Sequence, residues 1–301
     1  MSTVVHAAAQ ETPPPAAADP DVDDTLGELV RAHLEPSYLS FPVGLKGLDP
    51  LVFETSVVPN FSVLPRRWHA ALFLTPKIVL RMFQGHSTPV KTPSYMPRLT
   101  AFFWFDHAVD TSPSLYFSAG IGHHSNGQSG DFHAPDGSHN HENGSFETNE
   151  LDLATYAVWT DARFFSWSSV ALEWHPTFVE DAVLRGSYGN VRIHLSTTVF
   201  RTSKPLLSEL SARFTGIIGD IERPTNALPF FARFPVLIRY TVRPPAIDVG
   251  VYAAYYQGQD YYNIWYDRFI SVLEFGISGN LSTGIDFDVA RTAPKTPPAN
   301  Q

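Results

Sequence analysis

From Leu115 to Ser125 the residues alternate with period two: Leu115, Phe117, Ala119, Ile121, His123 and Ser125 fall on one side, and Tyr116, Ser118, Gly120, Gly122 and His124 on the other. Alternation of this kind makes a β-strand with two chemically different faces. It recurs further on. Val191, Ile193, Leu195 and Val199 alternate with Asn190, Arg192, His194 and Ser196, and Phe230, Ala232, Phe234, Val236, Ile238 and Tyr240 alternate with a set that includes Arg233 and Arg239. No run of about 18 apolar residues exists, which excludes a helical membrane span. Apolar groups on one face and arginines on the other are what a small membrane barrel with a polar, filled interior requires. A soluble β-sandwich produces similar alternation and is the competing architecture.

About twelve segments fit the pattern, near 51–58, 69–76, 77–84, 98–106, 113–125, 147–159, 165–175, 190–200, 208–216, 230–241, 246–257 and 268–278, where a transmembrane strand needs roughly 9–11 residues. The expected fold is all-β, an antiparallel transmembrane β-barrel of about 12 strands over residues 36–282. Residues 1–35 and 283–301 are expected to be disordered tails. Pro13-Pro14-Pro15 with Asp19, Asp21, Asp23 and Asp24 offers too little apolar surface to order itself, and the tail from Arg291 is proline-rich. Ala7-Ala8-Ala9 before Gln10 resembles a signal-peptidase site, yet Met1 to His6 supplies neither a charged region nor an apolar core, so the true start is expected upstream. Tyr255, Tyr256, Tyr261, Tyr262, Trp265 and Tyr266 are expected to gather as an interfacial girdle.

The absence of cysteine removes disulfide frameworks and thiolate zinc sites. A net charge of −9 argues against nucleic acid, and no glycine-rich phosphate loop occurs. The stretch from Asp131 to Asn143 contains His133, Asp136, His139, His141 and Glu142, and reads either as a zinc or copper site or as a solvated extracellular loop. No helical frame fixes His139 and His141, so the solvated loop is expected. His69, His107, His175 and His194 stand alone and read as interfacial or luminal.

The apolar face of the Leu115–Ser125 strand ends in His123 and Ser125, a candidate base and nucleophile placed where substrate arrives from an apolar phase. In the next strand the same parity carries Asn149, Leu151, Leu153, Thr155, Ala157 and Trp159. If the two strands pair as a hairpin about Pro135-Asp136-Gly137, symmetric counting sets His123 opposite Asn149, within side-chain reach. Ser125 then attacks, His123 takes its proton and Asn149 holds the imidazole through its other nitrogen.

The motif His123-x-Ser125-Asn126-Gly127, followed by Asn149 on the next strand, resembles outer-membrane phospholipase A, a family of bacterial barrel enzymes with a Ser-His-Asn site on the outer surface. Ser87-Thr88-Pro89 with Tyr95-x-Pro97 resembles a second patch of that family, and Gly258 to Ile277, with Tyr262-Asn263 and Arg268, a third. The similarity is diffuse from about Pro36 to Ser278 and specific only in these patches. It implies a calcium-dependent phospholipase A1/A2 of the bacterial outer membrane that hydrolyses acyl esters of glycerophospholipids and acts as a homodimer. By the same resemblance Gly127 lends its backbone N–H to the oxyanion. Calcium is held by the Gln128 carbonyl, the Ser145 hydroxyl and a ligand of the partner subunit at Ser87 or Thr88. Gln128 stands where an arginine is usual in the family, and the loop between Ser125 and Asn149 is longer. A catalytically silent barrel, serving as pore or scaffold, and a soluble secreted lipase are the alternative readings.

Overall fold

The structure, a computed structural model, describes residues 35–62, 70–87, 89–104, 114–160, 164–176, 182–203, 206–224, 229–244, 247 and 249–283. The rest of both tails, and His69, Thr88 and His107, lie outside the described residues. Fourteen strands form one sheet: β1 (Ser37–Lys46), β2 (Leu51–Val57), β3 (Pro59–Ser62), β4 (Ala70–Phe83), β5 (Ser94–Trp104), β6 (Ser114–Ser125), β7 (Glu147–Thr160), β8 (Phe164–Trp174), β9 (Val191–Ser203), β10 (Leu206–Ile218), β11 (Val236–Arg243), β12 (Val249–Gln259), β13 (Phe269–Gly279) and β14 (Leu281–Thr283). Twelve of them close into an antiparallel ring, with β4 joining β2 to β5 and β13 returning to β1. The short β3 continues β2 along β4, and β14 adds a short parallel pairing to β3. One end of the barrel carries the long connections between β4 and β5, β6 and β7, β8 and β9, β10 and β11, and β12 and β13, while at the other end β9 and β10 are only two residues apart in sequence.

Parity along each strand decides what faces out. Phe41, Ile121, Leu153, Val170, Val251 and Phe275 are each more than half exposed on the outer surface. A belt of this kind is stable only against lipid, which sets aside the soluble sandwich and the soluble lipase.

Inside, charge is matched to charge. Arg81 of β4 is almost fully buried; its Nε donates to Glu54 Oε2 at 2.7 Å and its Nη1 to Asp260 Oδ2 at 2.7 Å. Tyr38 and Tyr261 also donate to Glu54, at 2.6 and 2.7 Å, and the rings of Tyr261 and Tyr262 flank the guanidinium. Deeper in the lumen Arg98 meets Glu150 and Asp152. Beside them Glu173 accepts from Arg192 at 2.7 Å and pairs with His175 at 2.8 Å and His194 at 3.2 Å. His175 and His194 are therefore luminal. At the long-loop end the polar filling gives way to an apolar core, in which Phe83, Phe132, Phe146, Leu184, Tyr188, Tyr262, Ile264, Trp265 and Tyr266 pack together. Segment 260–268 supplies four of these, so Tyr262, Trp265 and Tyr266 plug the mouth instead of forming the girdle expected from the sequence.

Three strand assignments also change. Ser37–Lys46 is a strand that Pro42 and Gly44 disguise. Beyond Ser40 it pairs only with β13, so a proline is tolerated there. The segments 69–76 and 77–84 are one strand, β4, running through Pro76. Pro76 faces Pro97 of β5, and a rung without ladder hydrogen bonds needs no donor from either residue. Phe230 and Ala232 belong to a helical turn, Pro229–Ala232, with proline at its start, and β11 begins only at Val236.

Removing Arg81 strands two buried carboxylates, which costs about 3–5 kcal/mol for a buried pair. Arg81→Met should lower the urea midpoint at which the protein loses its heat-modifiable gel shift. Adding Glu54→Gln and Asp260→Asn should recover most of that loss; no recovery would mean that Arg81 stabilises by packing alone.

Candidate active site

The site sits where β6 and β7 reach the long-loop rim. On β6 the outward positions run from Leu115 and Phe117 to Ile121, His123 and Ser125, whereas His124 points inward, buried with its ring edge-on to Phe146 at 4.9 Å. Pairing of β6 with β7 sets His123 opposite Asn149 and Ser125 opposite Glu147. On its other side Ser125 faces Tyr95 of β5. His123 Nδ1 lies 3.0 Å from Asn149 Oδ1. An amide oxygen only accepts, so the neutral ring carries its proton on Nδ1 and keeps a lone pair on Nε2. Ser125 shares the outer face two positions along, about 7 Å by strand rise.

Past Ser125 the chain is shaped by Asn126, which the sequence offers only as part of the family motif. Its buried amide donates to the Gly144 carbonyl at 2.7 Å, and its oxygen accepts from the Gln128 N–H at 3.2 Å and the Phe146 N–H at 3.0 Å. One side chain thus clips the two ends of the long loop together. Gly127 follows with φ of +65°, and a Cβ there would sit 3.1 Å from the Tyr95 ring. Both the left-handed backbone and the tyrosine demand glycine, which leaves this backbone unshielded beside Ser125. Tyr95 was legible only as part of a family patch; its contact depends on β5–β6 register.

Gln128 and Ser145 lie on neighbouring stretches. The Ser145 N–H donates to the Gly130 carbonyl and the Gly130 N–H to the Asn143 carbonyl, both at 3.0 Å. The longer loop therefore leaves Ser145 beside the segment that follows Gly127. A backbone carbonyl at Gln128 and a hydroxyl at Ser145 are hard oxygen donors, the chemistry that calcium takes, although two donors alone fall short of the usual six to eight. Ser87 has φ of +65°; Thr88, the other position in that assignment, lies outside the described residues.

The stretch 131–143 is mostly exposed, as expected of a solvated loop, but it is ordered. It forms a small hairpin in which the Ala134 N–H donates to the Ser138 carbonyl at 2.8 Å and the Asn140 N–H to the Phe132 carbonyl at 2.9 Å. The Ser138 hydroxyl and N–H both donate to Asp136 and hold its carboxyl below the usual range. The His139 side chain is only 7% exposed, packed between Phe132 and Tyr266.

The chain matches no protein-family model and no curated protein by sequence. Its fold does match. Outer membrane phospholipase A from Escherichia coli superposes with a TM-score of 0.53 at 14% identity, over 82% of this chain and 90% of that one. The Salmonella typhi outer membrane phospholipase, solved as a dimer with bound calcium, gives 0.54 at 13% identity over the same shares. An active-site mutant of the Escherichia coli protein gives 0.53 at 12%. With its closed ring of twelve antiparallel strands and its apolar exterior, the chain is a transmembrane β-barrel with the fold of outer membrane phospholipase A.

Proposed function

We propose that this barrel is a calcium-dependent phospholipase A that hydrolyses acyl esters of glycerophospholipids in the outer membrane. The observation that carries the reading is the 3.0 Å contact between His123 Nδ1 and Asn149 Oδ1 on a lipid-facing surface, with Ser125 on the same face. Polar groups on that face oppose stability, and this arrangement gives them a use. Ile121, Leu151 and Leu153 surround them with exposed apolar surface on which acyl chains can lie.

Ser125 attacks the ester carbonyl while His123 Nε2 takes its proton. The histidine then protonates the leaving alcohol, and an acyl group remains on Ser125. Water then attacks the acyl carbon as the same Nε2 takes its proton, and the histidine returns that proton to Ser125 Oγ as the fatty acid leaves. Asn149 keeps the ring in the productive tautomer throughout. The Gly127 N–H, with no side chain of its own to shield it, donates to the oxyanion. Calcium bound by the Gln128 carbonyl and the Ser145 hydroxyl, with Thr88 of the partner subunit in a homodimer, would add positive charge near that oxyanion. A pore reading finds no support in the mouth core, which fills the long-loop end among the described residues.

Ser125→Ala should abolish acyl hydrolysis and labelling by a sulfonyl fluoride while the gel shift of the folded barrel persists. Residual turnover or labelling in that variant would exclude Ser125 as the nucleophile. Removal of a general base typically costs about 10²–10⁴-fold, so Asn149→Ala should retain more activity than His123→Ala. Equal activity of Asn149→Ala and the unmodified chain would refute the triad.

Chelation should suppress turnover, and Ser145→Ala should raise the calcium concentration needed for half-maximal rate. An unchanged calcium requirement would move the ion elsewhere. Asn126→Ala should unclip the loop, seen as faster hydrogen exchange at the Gln128 and Phe146 amides and a higher calcium requirement. Leaving those donors unsatisfied costs about 1–3 kcal/mol each. Unaltered exchange would show that the loop is held by other contacts.

A further inference from the structure

The mouth of the barrel holds a second constellation, separate from the lipid-facing site. His139 and His141 on the 131–143 hairpin meet Asp267 from segment 260–268, each offering one ligand atom within 4.8 Å of the others. We propose that these three residues bind a transition-metal ion of the zinc class.

Spacing is the first argument. His141 Nε2 lies 3.2 Å from Asp267 Oδ1, and His139 Nδ1 lies 3.8 Å from Asp267 Oδ2. A tetrahedral ion with bonds of about 2.0–2.2 Å separates its ligand atoms by about 3.4 Å, so little movement is required. The rings are also held in place. His141 stacks on Trp265 at 4.3 Å with planes 17° apart, and His139 packs edge-on to Phe132 at 4.7 Å.

Donor chemistry selects the ion. Two imidazoles and one carboxylate suit zinc, copper, nickel or cobalt, whereas calcium and magnesium take oxygen. An orienting partner is present as well. His139 Nδ1 now contacts the Ile264 carbonyl at 3.3 Å. Coordination there moves the ring proton to Nε2, which Glu222 Oε2 approaches at 3.9 Å. The fourth position opens on a cleft of about 440 Å³ lined by Gly47, Asp49, Glu222 and Arg223 among others, which admits the ion and a water. The other comparable cluster among the described residues, Glu150, Glu173 and His175, lies in the lumen, where Arg98 and Arg192 already neutralise its carboxylates.

One residue works against the ion. Arg268 Nη2 sits 3.3 Å from His141 Nδ1, the nitrogen that must carry the proton once Nε2 is coordinated. Two donors would then face each other. Arg268 has alternatives in Asp49, at 3.0 Å, and the Trp265 ring, at 4.3 Å, so it gives way at a cost. Its removal should therefore strengthen binding. An ion at this place ties the 126–146 loop to segment 260–268 across the mouth.

The test is titration of untagged, full-length protein in detergent micelles with cobalt(II), read by its visible d–d bands. One equivalent should bind per chain, be displaced by zinc and resist calcium. His139→Ala and His141→Ala should each weaken binding at least about tenfold, because even outer partners of a metal site are worth that much. Arg268→Gln should tighten it, and the gel shift of each variant reports that the barrel is folded. No saturable cobalt binding, or binding in both histidine variants as tight as in the unmodified chain, would overturn the proposal, as would weaker binding in Arg268→Gln.

Discussion

A strand in hydrocarbon has no water to satisfy its backbone, so every N–H and C=O along it has to find a neighbouring strand. That requirement closes the ring at β4–β5 and β1–β13, and closure then fixes everything else. Once no edge remains, each residue faces either lipid or lumen, and a slip of one position would exchange the two sets. The register that turns Ile121 and Leu151 outward also turns Gly120 and Asp152 inward. Two rungs further on, that same register brings His123 against Asn149. The cross-strand contact is a consequence of lipid solvation along the whole of β6 and β7, and requires no separate device to align it.

The inner face supports this from behind. Gly122 lies between Ile121 and His123 but faces inward, and any Cβ there would overlap the Glu150 carboxylate. Glycine makes room for Glu150 to reach Arg98, and that pair stiffens β5 against β7 beneath the outer site. Buried ion pairs contribute little net stability, because desolvation offsets their attraction, but an unpaired member is costly. Arg81 joins carboxylates from two distant places in the chain, Arg98 takes two from β7, and Arg192 takes Glu173. A lumen so filled, and capped by Tyr262, Trp265 and Tyr266, is consistent with the proposed chemistry on the outer surface.

The sequence made the faces legible wherever a strand was uninterrupted, because period two survives translation into a barrel without correction. Parity alone set His123 and Ser125 with Ile121, and hairpin symmetry found the opposition of His123 and Asn149 despite a long intervening loop. Proline defeated the reading three times. Pro42 hid β1, Pro76 split β4, and Pro229 opened a helical turn that alternation of Phe230 and Ala232 had disguised as strand. The total of about twelve strands stood because one omission and one division cancelled. What tertiary contact alone decides was illegible: that Asn126 clips its own loop, that Tyr95 leans over Gly127, and that the aromatics of segment 260–268 turn inward. No local pattern distinguishes an amide that closes a turn from one that closes a loop 20 residues later.

An asparagine in the third position of the outer site follows from where that site stands. A carboxylate there would hold the same tautomer and would stabilise the imidazolium more strongly. It would also place a charge on the lipid-facing surface in the resting state, with no luminal arginine able to reach around the strand to match it. Charge on that face costs most at the membrane midplane and falls off toward the interface, and Asn149 lies near the rim, so the penalty is modest. The neutral amide avoids it altogether and, in the proposed reaction, leaves the imidazolium to be balanced by the oxyanion formed in the same step. Stabilisation is then concentrated where charge exists only during reaction, which assists the transition state without burdening the folded barrel.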